Sequence, residues 1–495
     1  MSVLSHFAAP PRWQLLARGW SWSRAREATV LFGLALAAFA LALEAARYLA
    51  LGAFLDHIES SVVIDAWQFA HGQPLYDIQR GLPRFATYYG PLAYLVELPP
   101  LLVSATVAAS KLAPLFALAA SIALMAAHFL RRSGLTAALH PMFFLLGGLL
   151  LFSPMSFWAR PDPFELLAVA AAVAGGGSPL VVGVCLGLAV NLKAHAFFYF
   201  TPILLDIALG RGWRRAALAA AVGIGVFLVP FLAPGISLRD YIAVLAQQVG
   251  GRAPNLSQLG WVALCFIALA LPVLLPMLAR GRPRRDRLYA AAALAALAAL
   301  LYPATFPGAG PYHFLPLLPV LAEARRRLRP EGIGAQLAPF LPMLLAAPVV
   351  QYNLAEIKER AGWAALADEA VALAQSRPGA PAQIGYGDSR RGYELAQLGR
   401  TKLSLAGVPA KIDAQVLMEL QQIGADGSER WLRYLAECRV GGWVLPKDEA
   451  PFALRNFYYD GPAVFDAAFR EAFLGRYRSV GGSAHFTLWE CRGAE

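Results

Sequence analysis

The chain has 495 residues, 58% of them hydrophobic and only 15% charged, against about a half and a quarter in an ordinary globular protein. With a mean hydropathy of +0.50, this composition excludes a soluble globular class and points to several transmembrane helices of about 20 mostly apolar residues each. The net charge of +11 does not mark a nucleic-acid binder: only six of the 43 basic residues are Lys, and the Arg residues cluster between apolar runs, as on the cytoplasmic flanks of membrane spans.

In chain order, the basic, Trp-rich start (Arg12, Trp13, Arg18, Trp20, Trp22, Arg24, Arg26) precedes an apolar run at 29–51. That run is too long for a signal-peptide core and lacks a small-residue cleavage site, so it reads as an uncleaved first span. Four further Arg clusters follow, at Arg131/Arg132, Arg211/Arg214/Arg215, Arg280/Arg282/Arg284/Arg285/Arg287 and Arg325/Arg326/Arg327/Arg329. Placing every cluster inside fixes the direction of the stretches between them. Residues 52–90 become an external loop. The run 91–108, entered through Tyr89-Gly90-Pro91, is expected to be interfacial or re-entrant, and 112–130 is the returning span.

Span 139–156 leads out to Trp158-Ala159-Arg160-Pro161-Asp162. The stretch from there to Arg211 is broken by Gly175-Gly176-Gly177-Ser178-Pro179 and by Asn191, Lys193 and His195. It predicts three short helices near 163–175, 180–193 and 195–210. Fourteen residues reach only about 21 Å, short of a ~30 Å hydrocarbon layer, and interrupted spans of this kind point to a substrate site. Spans at 216–234, 258–279, 288–304, 312–324 and 335–352 complete about 11 crossings, with an external loop at 235–257. The fold class is therefore an all-α polytopic membrane protein. Residues 1–352 form its membrane domain, and 353–495 a small non-cytoplasmic α/β domain. In the tail, helices are expected at 354–376, 410–423 and 429–438, strands at 382–386, 441–445, 474–479 and 484–490, and a turn at Gly481-Gly482. Cys185 and Cys265 read as core packing; Cys438 and Cys491 can pair if the tail lies in an oxidising compartment.

The unusual polar residues gather on the outer side. Apolar Val62, Val63, Ala66, Phe69 and Ala70 recur at helical spacing and predict a helix lying in the interface. Glu59 and Asp65 on it either act as a general base on an acceptor hydroxyl or merely cap and solubilise the helix. Ionisable residues at membrane depth are costly and expected to have a partner. Arg160 and Lys193 suit phosphate, or form an Arg160–Asp162 salt bridge and a snorkelling Lys193. Tyr312-His313 opens a span from outside, where His313 can bond a phosphate or sugar or serve as an anchor. No phosphate-binding glycine motif, dinucleotide fingerprint or metal-ligand spacing occurs.

Several motifs carry a family resemblance: Glu59, Asp65-Ala66-Trp67, Gly72-Gln73-Pro74-Leu75-Tyr76, Tyr89-Gly90-Pro91-Leu92, and the Gly-rich run from Gly183 to Lys193. Over about the first 330 residues the chain resembles the GT-C superfamily of polyprenyl-phosphate-sugar-dependent glycosyltransferases, in its mannosyltransferase-like branch. Glu stands where that branch usually has Asp, Gly90 replaces one Pro of its Pro pair, and Arg160-Pro161-Asp162 replaces its Gly-Gln or Gly-Asn loop. The resemblance implies an inverting sugar transfer from a polyprenyl-phosphate donor to a lipid, glycan or protein acceptor. In it Glu59 or Asp65 is the base, and Lys193, Arg160 and His313 meet the donor phosphate, with Asp162, Tyr89 and Tyr312 in support. It requires no metal and no cofactor beyond the donor, and its partners are membrane lipids rather than nucleic acid. The Arg-for-Lys bias together with abundant Ala, Gly and Pro suggests a GC-rich bacterial genome, and the Arg clusters a cytoplasmic N-terminus; with these, the resemblance implies an inner-membrane protein of cell-envelope glycan synthesis. The alternatives are an oligosaccharide polymerase or ligase, and a non-enzymatic lipid or sugar transporter.

Overall fold

The computed structural model describes residues 22–77, 84–85, 89–249, 254–328, 339–377, 381–422, 428–458 and 461–492. The N-terminal Arg12/Arg18 cluster, Arg329 and parts of the 52–90 loop lie outside the described residues. Helix α1 (Trp22–Ala50) leads into α2 (His57–Ala70) and a short antiparallel pair, β1 (Tyr76–Asp77) with β2 (Arg84–Phe85), registered Tyr76 to Phe85. The 91–108 segment makes no span. Pro99-Pro100 and extended Ser104 break it into short turns, α3 (Leu92–Leu95), α4 (Leu98–Val103) and α5 (Val107–Ser110). Helices α6 (Leu112–Ser133) and α7 (Leu135–Leu151) then traverse the bundle.

The three short helices fall where the Gly/Pro punctuation puts them: α8 (Asp162–Ala174), α9 (Pro179–Leu192) and α10 (Phe197–Arg211). Next come α11 (Trp213–Leu228), α12 (Leu238–Val249), α13 (Leu256–Ala270), α14 (Leu274–Leu278), α15 (Arg284–Ala304), α16 (Leu318–Arg327) and α17 (Phe340–Glu359). Five helical stretches are long and apolar enough to cross a membrane, namely Glu27–Ala50, Val107–Ser133, Trp213–Leu232, Arg284–Ala304 and Phe340–Gln375, and shorter apolar helices lie between them. Helix α9 is pressed onto α11. A Cβ on Gly183 or Gly187 would stand 2.6 Å from the Ala219 carbonyl oxygen or 2.5 Å from that of Gly223, the close approach that small residues four apart permit in membranes.

Helix α17 passes through one 3-10 turn into α18 (Trp363–Gln375), so the last span and the first tail helix join. The tail continues with β3 (Gln383–Ile384), α19 (Arg390–Leu405), α20 (Ala414–Gln422), α21 (Ser428–Ala436), β4 (Gly442–Pro446), α22 (Ala467–Arg476), β5 (Tyr477–Gly482) and β6 (Phe486–Cys491). The sheet order is β3-β4-β6-β5, parallel only between β3 and β4. Its own core centres on Ile384, Tyr386, Trp443, Phe452 and Phe473. Three expectations shift here. Helices α19 and α22 were not foreseen, α22 takes the start of the strand expected at 474–479 so that β5 begins at Tyr477, and Gly481-Gly482 ends β5 after a bulge, leaving the turn to 483–485. Cys438 and Cys491 form a disulfide with Cα atoms 6.0 Å apart, while Cys185 and Cys265 are buried thiols.

Helix α2 differs from the interfacial helix expected. Val62, Val63 and Ala66 are fully buried in a cluster with Trp363, Leu398 and Leu405 of the tail. The apolar stripe is covered by protein, because α19 packs along it.

Candidate functional site

The start of α2 explains which carboxylate is structural. Asp56 is the N-cap and accepts from the Ile58 amide at 2.7 Å, and Glu59 reaches back to complete a capping box. Glu59 Oε1 accepts from the amides of Leu55 (2.9 Å) and Asp56 (3.0 Å). Its Oε2 accepts from the Ala159 amide at 2.9 Å and from the Tyr48 hydroxyl. Nearby, the buried Lys111 ammonium donates to the carbonyls of Tyr48 (2.8 Å), Leu51 (2.5 Å) and Ala53 (2.7 Å), clasping the C-terminal end of α1, where the helix dipole favours a cation. Both oxygens are spent on four donors, so Glu59 ties the loop to the end of α1 and to Ala159, and it lines neither of the cavities described below. Asp65 is also buried and lines neither cavity. Glu59→Gln is expected to lower stability by about 1–3 kcal/mol, since an amide cannot accept from all four donors. Thermal unfolding checks this; an unchanged melting temperature would remove the structural assignment.

The cationic residues converge. Arg160, in the turn between α7 and α8, donates from Nη1 to Asp56 Oδ1 (3.3 Å) and from Nη2 to the hydroxyls of Tyr89 (2.9 Å) and Tyr312 (3.2 Å). Its guanidinium stacks 4.0 Å from the Trp158 ring centroid and stands 3.7 Å from Asp162. Lys193, the C-cap of α9, pairs with Asp162 and with Glu165 at 3.5 Å, and lies over the rings of Tyr89 and Tyr312. The Tyr89 turn is delivered by Gly90. A Cβ there would fall 1.8 Å from the Asn191 carbonyl oxygen. The Gly90 amide donates to the Leu192 carbonyl and the Asn191 side chain accepts from the Leu92 amide. Only glycine can bring this turn against the end of α9, which accounts for the residue that replaces Pro.

Two cavities meet at Arg160 and Tyr312. One, of about 390 Å³, is lined by Tyr89, Arg160, Lys193, His195 and His313, with an apolar wall including Phe198, Leu245 and Phe306. His195 Nε2 and His313 Nδ1 are 3.2 Å apart. The other, of about 480 Å³, is lined by Asp56, Trp158, Arg160, Ser257, Gln258 and Trp261. Asp162 is fully buried and lines neither cavity, so it backs Lys193 and Arg160 from behind. The C-terminal domain roofs the first cavity with Glu419 and Tyr458, the latter hydrogen-bonded to His57, while Ser61 donates to Asp413 at 2.9 Å. Burial alone would raise the Asp56 carboxyl, but His57, Arg160 and the Ile58 amide together hold it below the usual carboxylate range.

The structure thus brings together Arg160, Asp162, Lys193, Tyr89, Tyr312 and His313, and leaves Glu59 and Asp65 outside. Sequence reasoning missed Asp56, His195, Glu419 and Tyr458. The pattern Asp56-x-x-Glu59 is itself a capping-box signature and would have assigned Glu59 a structural role. Among the described residues, no three His, Cys, Asp or Glu side chains converge as a metal-ligand set.

The sequence matches no family profile and no curated protein. Among solved structures it is similar to ArnT from Cupriavidus metallidurans bound to undecaprenyl phosphate, with a TM-score of 0.56 and 14% identity over 94% of this chain and 98% of that one. The apo form of the same protein gives a TM-score of 0.54 and 15% identity with the same coverage. The chain is a multi-pass membrane protein with a GT-C-like helical fold and a small C-terminal α/β domain.

Proposed function

We propose that the chain is a membrane glycosyltransferase that moves a hexosyl or pentosyl unit from a polyprenyl-phosphate donor to an acceptor hydroxyl on a lipid, glycan or protein. The observation that carries this reading is the shared wall of the two cavities, where Asp56 faces one side, Lys193 faces the other, and Arg160 touches both. The phosphate of the donor lies in the apolar-walled cavity against Lys193 and Arg160, with His313 and His195 as hydrogen-bond partners. The acceptor enters the second cavity, and Asp56 replaces Glu59 and Asp65 as the base. It takes the hydroxyl proton as the oxygen attacks the anomeric carbon, and the bond to the phosphate oxygen breaks with inversion. Lys193 and Arg160 meet the charge that develops on the departing phosphate, the kind of preorganised stabilisation that contributes most to such barriers. The leaving group carries a single phosphate, so the scheme uses no metal and no further cofactor.

The likeness to the fold of a protein crystallised with undecaprenyl phosphate supports the donor class. The first-loop motifs favour the mannosyltransferase-like branch. The Cys438–Cys491 disulfide supports a periplasmic or extracellular C-terminal domain, since such bonds persist in oxidising compartments. The test is to incubate the purified chain with a panel of undecaprenyl-phosphate sugars and lipid or glycan acceptors, and to measure released undecaprenyl phosphate. Release coupled to acceptor glycosylation is the expected result. Counterflow of an intact sugar lipid with no bond cleavage would replace the enzyme by a transporter.

A further inference from the structure

A third cavity, of about 450 Å³, opens at the far end of α8 from the site just described. Asp162 begins α8 and Gly175-Gly176-Gly177 follows its end, so the two sites stand about 20 Å apart along the bundle at 1.5 Å per residue. Its wall is built by α6, the end of α8 with the α8–α9 turn, α10, α15 and α16. Positive charge flanking spans is ordinary in membrane proteins. Its collection from four separate helices around one concavity is not.

The charges on this wall divide into two groups. On the floor the carboxylates are matched. Asp206 accepts from Arg285 (2.7 Å) and Arg327 (3.0 Å), and Glu323 from Arg326 (2.7 Å), Arg327 (2.9 Å) and His128 (3.1 Å). Asp286 is 3.6 Å from Arg327. On the rim, Arg132 and Arg211 face no carboxylate among the described residues, yet both rest on one turn. Arg211 donates to the Gly176 carbonyl at 2.8 Å. A Cβ on Gly176 would lie 3.1 Å from Arg132 Nη2, and one on Gly177 would lie 3.5 Å from Arg211 Nε. Both glycines have left-handed φ, 62° and 82°, and with no side chain they let the two guanidinium groups close over the turn. Two like charges held together at a concave rim above a charge-matched floor want an anion with several acceptor oxygens, and a guanidinium fork fits phosphate oxygens.

We propose that this cavity binds a phosphate-bearing ligand at the membrane face opposite the transfer site, through Arg132 and Arg211. Two sources share that chemistry, the headgroup of an anionic phospholipid and a soluble phosphate compound. The full chain, purified and delipidated in detergent, tests both. Native mass spectrometry measures retained dioleoylphosphatidylglycerol against dioleoylphosphatidylcholine, and a thermal shift reads inorganic pyrophosphate. The wild type is expected to bind phosphatidylglycerol preferentially or to be stabilised by pyrophosphate, and the responding arm identifies the source. Arg132→Gln/Arg211→Gln is expected to reduce the response at least fivefold, whereas Arg214→Gln/Arg215→Gln, which removes two exposed charges outside the cavity, leaves it intact. Equal loss in both double variants, no loss in the first, or no response of the wild type to either probe overturns the proposal. If the first double variant fails to elute as a single species in gel filtration, Arg132→Gln and Arg211→Gln are read singly by the same criteria.

Discussion

Asp56→Asn is expected to lower kcat by roughly 10²–10⁴-fold, the usual contribution of a positioned general base, with little change in donor affinity or in melting temperature. The stability expectation follows from local structure. Asp56 caps α2 through a bond to the Ile58 amide, and Asn serves an N-cap as well as Asp does. The loss in turnover therefore reports chemistry and not unfolding. Turnover within threefold of wild type would remove Asp56 from the mechanism. The pH profile gives a second reading. A base works in its deprotonated form, and Asp56 is held below its ordinary pKa by His57, Arg160 and the Ile58 amide against the opposing effect of burial. It stays competent as pH falls until the lowered pKa is crossed. The kcat/KM profile should thus show no acid limb down to about pH 4, near the ordinary value for aspartate. A limb near neutrality would point to another group.

Lys193→Ala should do two kinds of damage, which a double variant separates. Its ammonium balances Asp162 and Glu165, whose side chains are essentially inaccessible. Deleting one partner of a buried pair costs about 3–5 kcal/mol, because the carboxylate left behind is uncompensated. Transfer is also expected to fall below detection, since the phosphate loses the cation that faces the donor cavity. In Lys193→Met/Asp162→Asn the orphaned charge is removed along with its partner, so most of the thermal stability should return while transfer stays absent. If transfer returns together with stability, Lys193 is a structural counter-ion and the phosphate is held elsewhere. If neither returns, the damage cannot be assigned to an unpaired Asp162.

The membrane half was legible because its punctuation is strong. Gly175-Gly176-Gly177 and Asn191/Lys193/His195 cut the chain where α8, α9 and α10 begin and end, and the direction imposed by the Arg clusters kept 91–108 from being a span. The cationic half of the site was equally visible, because Arg160 and Lys193 stand out against apolar surroundings. On the acidic side the sequence reading and the cavity linings differ for a local reason. Periodicity highlights whatever lies on the stripe of α2, and so it highlighted Glu59 and Asp65. Asp56 lies one residue before the helix, where only its role as a cap marks it. Helix α19 escaped notice because its buried face carries Gln397, Arg400, Thr401 and Ser404, which a hydrophobic pattern cannot register. Gln397 and Arg400 meet Asp413, a tertiary partner that has no signature in a window of adjacent residues. The cavity roof of Glu419 and Tyr458 was invisible for the same reason, being contributed by a domain that meets the first loop only after folding.

The Lys111 clasp has a consequence for life in bilayers of unequal thickness. The stretch of α1 suited to a membrane, Glu27–Ala50, has 24 residues, about 36 Å at 1.5 Å per residue, against a ~30 Å hydrocarbon layer. Long spans relieve such mismatch by leaning. Because the first span is pinned to the start of α6 at one end, it can lean only about that pivot, and the swing is taken up at the opposite end. Asp56, a few residues past the pivot, keeps its depth whether the lipid around it is thick or thin.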